Sequence, residues 1–397
     1  MGTFFGRLSK LSDDCCADVN PKQSTALALR KKLTILRLSR PLSEDHPGKP
    51  ALVRILAINV KCSVFLKDLI LALLQFFLDL RNFPMPGSFV ISLDFELMWG
   101  VRDHSTIETY GKNILGGRQA IPRILASFNR RSIRATWATV GLLFFDSKEE
   151  LISHLPEEKP TYTNKKLSNY QYICEIGKDE KTDPYYFGGS LLKQISDCPG
   201  QEIASHSFSH YYCKEEGQTT SQFSADMNAA VNAAAIKGYS LRSFVFPRNQ
   251  FSQPHLSILS EHGISVMRGN EQSWFYEASS KHSHLQRAGR LVDTYFNLSG
   301  FHVQDFQPGQ LTDVPSSRFL RPYSRRLSWV NFLALRRICN AMKQAVVTDG
   351  IFHLWWHPHN FGNNLEENMN MLDSILDYYT HLHEHHGMKS LNMGDFS

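Results

Sequence analysis

From residue 88 onward, short apolar runs alternate with longer amphipathic stretches, and this alternation organises most of the chain. SFVISL, ending at Asp94, has the unbroken apolar character of a buried strand. A helix follows in which Ile121, Ile124, Leu125 and Phe128 share one face, then a second strand, IRATWATVG, from Ile133. QEIAS is another short strand and runs into His206. An Ala-rich helix over 223–235 stops at Gly238, strand RSFVFP follows, and a helix opened by Pro254 closes at Gly263 before strand ISVMR. After a longer polar stretch, an amphipathic helix over 327–346 leads to strand IFHLWW and His357. The last helix carries Leu365, Met369, Leu372, Leu376, Tyr379 and Leu382 at helical spacing. Strands alternating with helices predict an α/β fold with a mainly parallel sheet, either doubly wound or closed into a barrel.

Upstream the pattern is different. Residues 1–50 mix Ser, Pro, Lys, Arg and Asp without a sustained period and read as an arm. Residues 51–80 are apolar with interspersed charge, enough for one or two helices lying on the main body or making peripheral contact with a membrane surface. The most apolar run, 69–78, is far shorter than the roughly 20 residues of a spanning helix, so no transmembrane segment is expected. Pro84, Pro86 and Gly87 mark a boundary, dividing the chain into an N-terminal extension, 1–86, and a domain, 87–397. The extension is either part of the mature protein or the product of an over-extended translation start.

Composition narrows the function. Of 397 residues, 42% are hydrophobic and 20% charged, an ordinary globular balance that excludes a disordered or fibrous chain. The net charge of +5 is unevenly placed: residues 1–86 carry 13 Lys/Arg against 7 Asp/Glu, and the remainder is nearly neutral. A neutral main body argues against a nucleic-acid binder. Seven scattered cysteines without a CxxC pair fit a reducing compartment, and no signal peptide opens the chain, so a cytoplasmic location is expected. Oligomeric state is not legible.

The polar residues that stand out all follow predicted strands: Asp94 and Glu96, His206 and His210, Arg248 and Asn249, His357 and His359. In a parallel barrel those strand ends converge on one rim. Asp94 and Glu96 are two apart, so in an extended chain both side chains point the same way. His206 and His210 are four apart and can reach one ion if the loop coils. A borderline cation such as Zn²⁺ would accept two imidazoles and one carboxylate and keep a position open for water. Arg248 could orient a carboxylate or an acidic substrate group. Trp355 and Trp356 suit a carbohydrate platform but also a core, and a histidine after that strand suits a general acid near neutral pH. His381, His383, His385 and His386 sit at a helix C-terminus, where the helix dipole alone accounts for them.

Taken in order, ISLDFE, RATWATVG, EIASHSFSH, FVFPRNQ and FHLWWHPH resemble the polysaccharide deacetylases, the NodB-homology or carbohydrate esterase 4 family, over roughly residues 88–360. The resemblance implies a deformed (β/α) barrel of mainly parallel strands. It also implies a divalent metal ion, Zn²⁺ or another transition metal such as Co²⁺, on Glu96, His206 and His210. By the same mapping Asp94 is the base, Arg248 holds its carboxylate, and His357 or His359 is the acid that protonates the leaving amine. The family's first motif reads TFDD where this chain has SLDFE, and its arginine motif is matched loosely, because proline precedes Arg248. Trp274 is the nearest counterpart of its aspartate/tryptophan motif.

The implied activity is hydrolytic de-N-acetylation of an amino-sugar polysaccharide, an oligosaccharide, or a lipid- or nucleotide-linked precursor of surface polysaccharide. The alternatives are an amidase or deformylase acting on a small amide at the same metal site, and a catalytically silent carbohydrate-binding protein.

Overall fold

The computed structural model describes residues 86–276 and 284–397; the expected arm and the helices over 51–80 lie outside the described residues. Met85–Ser397 forms one compact unit. Its first strand, β1 (Ser88–Phe95), is buried at all eight positions, as its apolar text predicts. β1 lies inside the sheet, with β2 (Ala135–Thr139) beside its second half and β8 (Ile351–Trp356) along its other edge. Beyond β2 come β3 (Gln201–Ser205), β4 (Ser243–Val245), β5 (Val266–Arg268) and β6 (Thr312–Asp313), and beyond β8 comes β7 (Arg318–Phe319). The short β9 (Lys389–Leu391) pairs with the first half of β1. Every one of these ladders is parallel.

The sheet is curled into a half-barrel. Arg268, at the end of β5, donates to Asp94 on β1 at 2.7 Å, although β4, β3 and β2 separate the two strands. In a flat sheet with strands roughly 4.8 Å apart they would stand about 19 Å from each other, far beyond an arginine's reach. Curling also sorts the side chains of each strand by parity. Phe89, Ile91, Leu93 and Phe95 face outward into the large core beneath the helices. Val90 faces inward, into a second cluster with Ala138, Val245, Val266, Val314 and Ile351, closed below by Met393 and Phe396. Small and β-branched residues fill this inner cluster because the strands crowd together there.

Among the described residues, eight α-helices flank the sheet. In chain order they are α1 (Ile107–Arg130), α2 (Lys148–Ser153), α3 (Gly189–Asp197), α4 (Thr220–Ile236), α5 (Gln253–Glu261), α6 (His284–Tyr295), α7 (Asn331–Thr348) and α8 (Leu365–His386). The expected apolar faces are the buried ones, including Ile121, Ile124, Leu125 and Phe128 of α1 and Leu372, Leu376 and Leu382 of α8. A capping box on Thr106 starts α1, and another on Thr219 starts α4. The elements the sequence does not announce are the helices α2, α3 and α6 and the strands β6, β7 and β9, the strands being too short to show a period.

One close approach positions the rim. Gly116 and Gly117 of α1 lie directly against the backbone of Gly362 and His359, so the turn after β8 rests on the helix with no side chain between. A Cβ at Gly116 would overlap the Gly362 carbonyl. Gly116→Val is therefore expected to cost about 1–3 kcal/mol as overpacking, read as a lowered midpoint in thermal unfolding. An unchanged midpoint would show that the turn yields freely.

Candidate active site

The strand ends bring the expected residues together at the barrel mouth. Asp94 is the penultimate residue of β1, and Glu96 follows the strand as the N-cap of a 3-10 turn, Leu97–Gly100. Both carboxylates are almost fully buried, at 2% and 3% exposure, and both face the mouth. Gly100 is required there, because a Cβ at that position would overlap the Glu96 carboxylate.

His206 and His210 leave β3 on a loop that coils without forming a helix. Ser207 (φ 60°) and His210 (φ 58°) take left-handed backbone conformations, sharp turns of the kind that persist only when their surroundings hold them. Asp226, on α4, does the holding: its carboxylate accepts from the Phe208 and Ser209 backbone N–H groups at 2.7 and 3.1 Å and from the Ser209 hydroxyl at 2.5 Å. Burial pushes Asp226 up to about 6 against these hydrogen bonds. The sequence reading missed this residue; the available signal was one acid on the buried face of an Ala-rich helix.

Glu96, His206 and His210 present one ligand atom each within 4.8 Å of one another. Glu96 Oε2 lies 3.4 Å from His206 Nε2 and 3.0 Å from His210 Nε2. Donor atoms in a tetrahedral shell with bonds of about 2.0–2.1 Å stand roughly 3.3 Å apart, so the spacing suits a divalent transition metal. Proton placement points the same way. His206 Nδ1–H donates to the Val245 carbonyl at 2.8 Å, which leaves the Nε2 lone pair of the neutral ring aimed at Glu96. His210 Nδ1 meets the Tyr212 hydroxyl at 3.1 Å, again leaving Nε2 toward Glu96. Burial lowers the His210 pKa and so favours its neutral form. Burial would raise Glu96, but the neighbouring imidazoles of His357, His206 and His210 hold it well below the ordinary carboxylate range. Acceptors converging on one point need a cation between them, so the residues present fit the metal.

Asp94 is held differently. Arg268 grips it bidentately at 2.7 and 2.9 Å, and the same guanidinium donates to Ser92 Oγ at 2.9 Å and Asn249 Oδ1 at 3.2 Å. His353 anchors the chain from below, with Nδ1–H donating to the Val314 carbonyl and Nε2 accepting from the Ser92 hydroxyl at 2.8 Å. The Trp355 ring lies 4.3 Å from the Arg268 guanidinium. Burial works to raise Asp94, and Arg268, then His206 and His357, bring it below its ordinary value.

The arginine on Asp94 is thus Arg268, and the expectation for Arg248 is corrected. Arg248 sits in a turn past β4 with φ 53° and crosses the Tyr212 ring at 4.1 Å. It pairs with Asp103 and reaches Glu215 at 3.5 Å, so it supports the Tyr212–His210 side of the site. The signal for Arg268 was present in the sequence as an arginine closing the apolar strand ISVMR.

His357 and His359 stack with ring centroids 5.0 Å apart, but their surroundings differ. His357 Nε2 lies 3.6 Å from both Asp94 Oδ2 and Glu96 Oε1, and its side chain is 23% exposed at the mouth. His359 is buried against Tyr110, and burial followed by the charge of His357 pushes its pKa down to about 3. Trp356 belongs to the core and Trp355 to the cleft wall with Phe319, Tyr110 and Asn249. Trp274 lies outside that wall, its ring tilted against Phe275 with centroids 4.4 Å apart. Among the described residues the terminal histidines form no metal-holding group; His383 and His385 bond backbone carbonyls at the end of α8. The cleft encloses about 480 Å³.

No protein-family model matches the chain, and no curated protein does. Among solved structures, a Mycobacterium smegmatis protein assigned as a polysaccharide deacetylase aligns at 11% identity and a TM-score of 0.49, over 79% of this chain and 90% of that one. A Pseudomonas aeruginosa protein with the same assignment aligns at 10% identity and 0.45, over 78% and 88%. A CE4 family pseudoenzyme from Bacillus anthracis aligns at 13% identity and 0.38, over 79% and 66%.

Three outcomes are expected. Elemental analysis should find about one divalent transition metal per chain, absent from a His206→Ala/His210→Ala variant; a metal-free wild type after reconstitution with Zn²⁺ or Co²⁺ would reject the site. Arg268→Met should cost roughly 3–5 kcal/mol in urea unfolding by stranding the buried Asp94 charge, with recovery on adding Asp94→Asn. The pH dependence should change sign as well. In the wild type the folded Asp94 pKa is depressed, so its stabilisation is present above the unfolded value near 3.8 and is lost as pH falls through the folded one. Without Arg268, burial raises that pKa, and acidification from neutral pH should stabilise the variant.

Proposed function

We propose that the protein is a metal-dependent hydrolase that removes the acyl group from an N-acylated amino sugar. The observation that carries this reading is two buried carboxylates side by side at one mouth, one set among histidines to hold a cation and the other locked to a guanidinium, with a histidine facing both. A divalent ion on Glu96, His206 and His210 would supply Lewis acidity, polarising the acyl oxygen and acidifying water. Zn²⁺ is the ion this His₂-carboxylate set suits best.

The chain's own residues perform the proton transfers. Asp94 is kept ionised at neutral pH by Arg268 and takes a proton from the attacking water. Ser92 and His353 fix the plane of that guanidinium, which fixes the carboxylate. His357, on the open side of the mouth, delivers a proton to the departing nitrogen, and His359, buried and held neutral, backs its ring. A C–O bond forms and the C–N bond breaks, leaving a carboxylic acid and a free amine. Trp355, Phe319 and Tyr110 offer flat apolar faces to a sugar ring. A small-amide substrate would call for an enclosed pocket, whereas this cleft shares its wall with a second groove and leaves room for a larger one. Cys174, Cys198 and Cys213 are free thiols, in keeping with a cytoplasmic location.

Acetate release from N-acetylglucosamine oligomers and sugar conjugates tests the reading. Asp94→Asn and His357→Ala are each expected to lower kcat by about 10²–10⁴-fold, and chelation should abolish turnover. A metal-loaded protein that binds such sugars without releasing acetate would leave the silent carbohydrate-binding reading in its place.

A further inference from the structure

Phe319, Trp355 and His357 form a wall shared by the cleft and a second groove of about 850 Å³, built on α6 and residues 318–321. Five arginines line that groove: Arg248, Arg287, Arg290, Arg318 and Arg321. Their charge is poorly matched. Arg248 has Asp103 and Glu215. Arg318 shares one carboxylate, that of the buried Asp293, with Arg337, so this trio keeps one positive charge in excess. Arg287, Arg290 and Arg321 make no ion pair among the described residues. Arg290 is half-buried, and burial, together with the neighbouring charge of Arg287, lowers its pKa from the usual arginine value. Residues 284–337 hold eight arginines and no lysine, against three aspartates and no glutamate. Guanidiniums gathered beside a cleft with fewer counter-charges than arginines among the described residues repel one another, and an anion between them relieves the repulsion.

We propose that this groove binds a phosphate or diphosphate ester on the amino sugar, so that the substrate is a sugar carried on a phosphorylated anchor. The inference rests on the deacylase reading for the identity of the sugar and on the arginines for the anchor. A sugar carboxylate brings one charge, which a single bidentate guanidinium satisfies. A diphosphate brings about two charges and oxygens on several sides, which calls for several guanidiniums at once. A ring resting on Trp355 with its acyl group toward Glu96, His206 and His210 has the arginine groove directly beside it.

The test is calorimetric binding to the full-length, metal-loaded protein of three probes: uridine-diphosphate N-acetylglucosamine, farnesyl-diphosphate-linked N-acetylglucosamine, and neutral N-acetylglucosamine trimer. At least one diphosphate conjugate should bind about tenfold or more tightly than the trimer, and more weakly as salt is raised. Arg287→Gln/Arg290→Gln, and separately the exposed Arg321→Gln, should each remove about tenfold of that affinity, with partial recovery in the lysine versions. Preference between the two conjugates identifies the anchor as nucleotide or lipid. Failure of both conjugates to bind, trimer binding as tight as theirs, or indifference to the glutamine variants in folded protein would overturn the proposal. Acetate assays on the same samples separate the two readings. Arginine-dependent binding without acetate release overturns the deacylase and keeps the anchor site. Acetate release from the trimer with no arginine dependence does the reverse.

Discussion

The bidentate pair between Asp94 and Arg268 is the contact on which the rest of the architecture depends. It joins the first and fifth strands across the barrel interior, and it exists only because the sheet is curled. Two charges nearly removed from water are tolerated there because each has several partners. Arg268 donates hydrogen bonds to Asp94, Ser92 and Asn249, and the Ser92 hydroxyl donates to His353, whose Nδ1–H donates to the Val314 carbonyl. Below this polar layer the interior is filled by small apolar residues, and above it lies the open mouth. The pair therefore forms the floor of the cleft as well as a tie across the fold.

Asp94 and Glu96, only two residues apart, are given opposite tasks by what surrounds them. A guanidinium holds Asp94, and imidazole nitrogens surround Glu96. Both are buried and both are kept ionised, but by different partners. A carboxylate locked to a fixed cation stays available on its open side as a proton acceptor, while one among neutral nitrogens becomes part of a cation site. Strain in the chain accompanies this division: Leu97, Ser207, His210, Arg248 and Asn249 all have positive φ and all lie at the mouth. The support for His210 runs outward through Tyr212 and Asp103 to Arg248, so an arginine that does not touch Asp94 still bears on the site.

Much of this was readable in one dimension. Strand β1 announces itself by the apolar run SFVISL, and α1 and α8 by their apolar periods. The even spacing of Asp94 and Glu96 puts both on the mouth side, and the spacing of His206 and His210 allows a shared ion, although left-handed turns rather than a helix bring them together. Strands β6, β7 and β9 are two or three residues long and leave no pattern. Asp226 was hidden because nothing in the text of α4 says that its acid meets the backbone of a loop 17 residues upstream.

The sequence alone determined the alternation of strands and helices, the strand ends that carry the polar residues, and the two-residue and four-residue spacings within each motif. Those are properties of local backbone geometry, fixed by periods of 2.0 and 3.6. Which arginine meets Asp94, which histidine stays open to the mouth, and which arginines gather without carboxylates were decided by the tertiary structure. Arg248 and Arg268 each follow or close a strand and look equivalent in the text. They differ because sheet curvature carries the Arg268 side chain into the barrel, while the left-handed turn at Arg248 sends that side chain across Tyr212 toward Asp103. Such pairings depend on distances between strands remote in sequence, and no local period encodes those distances.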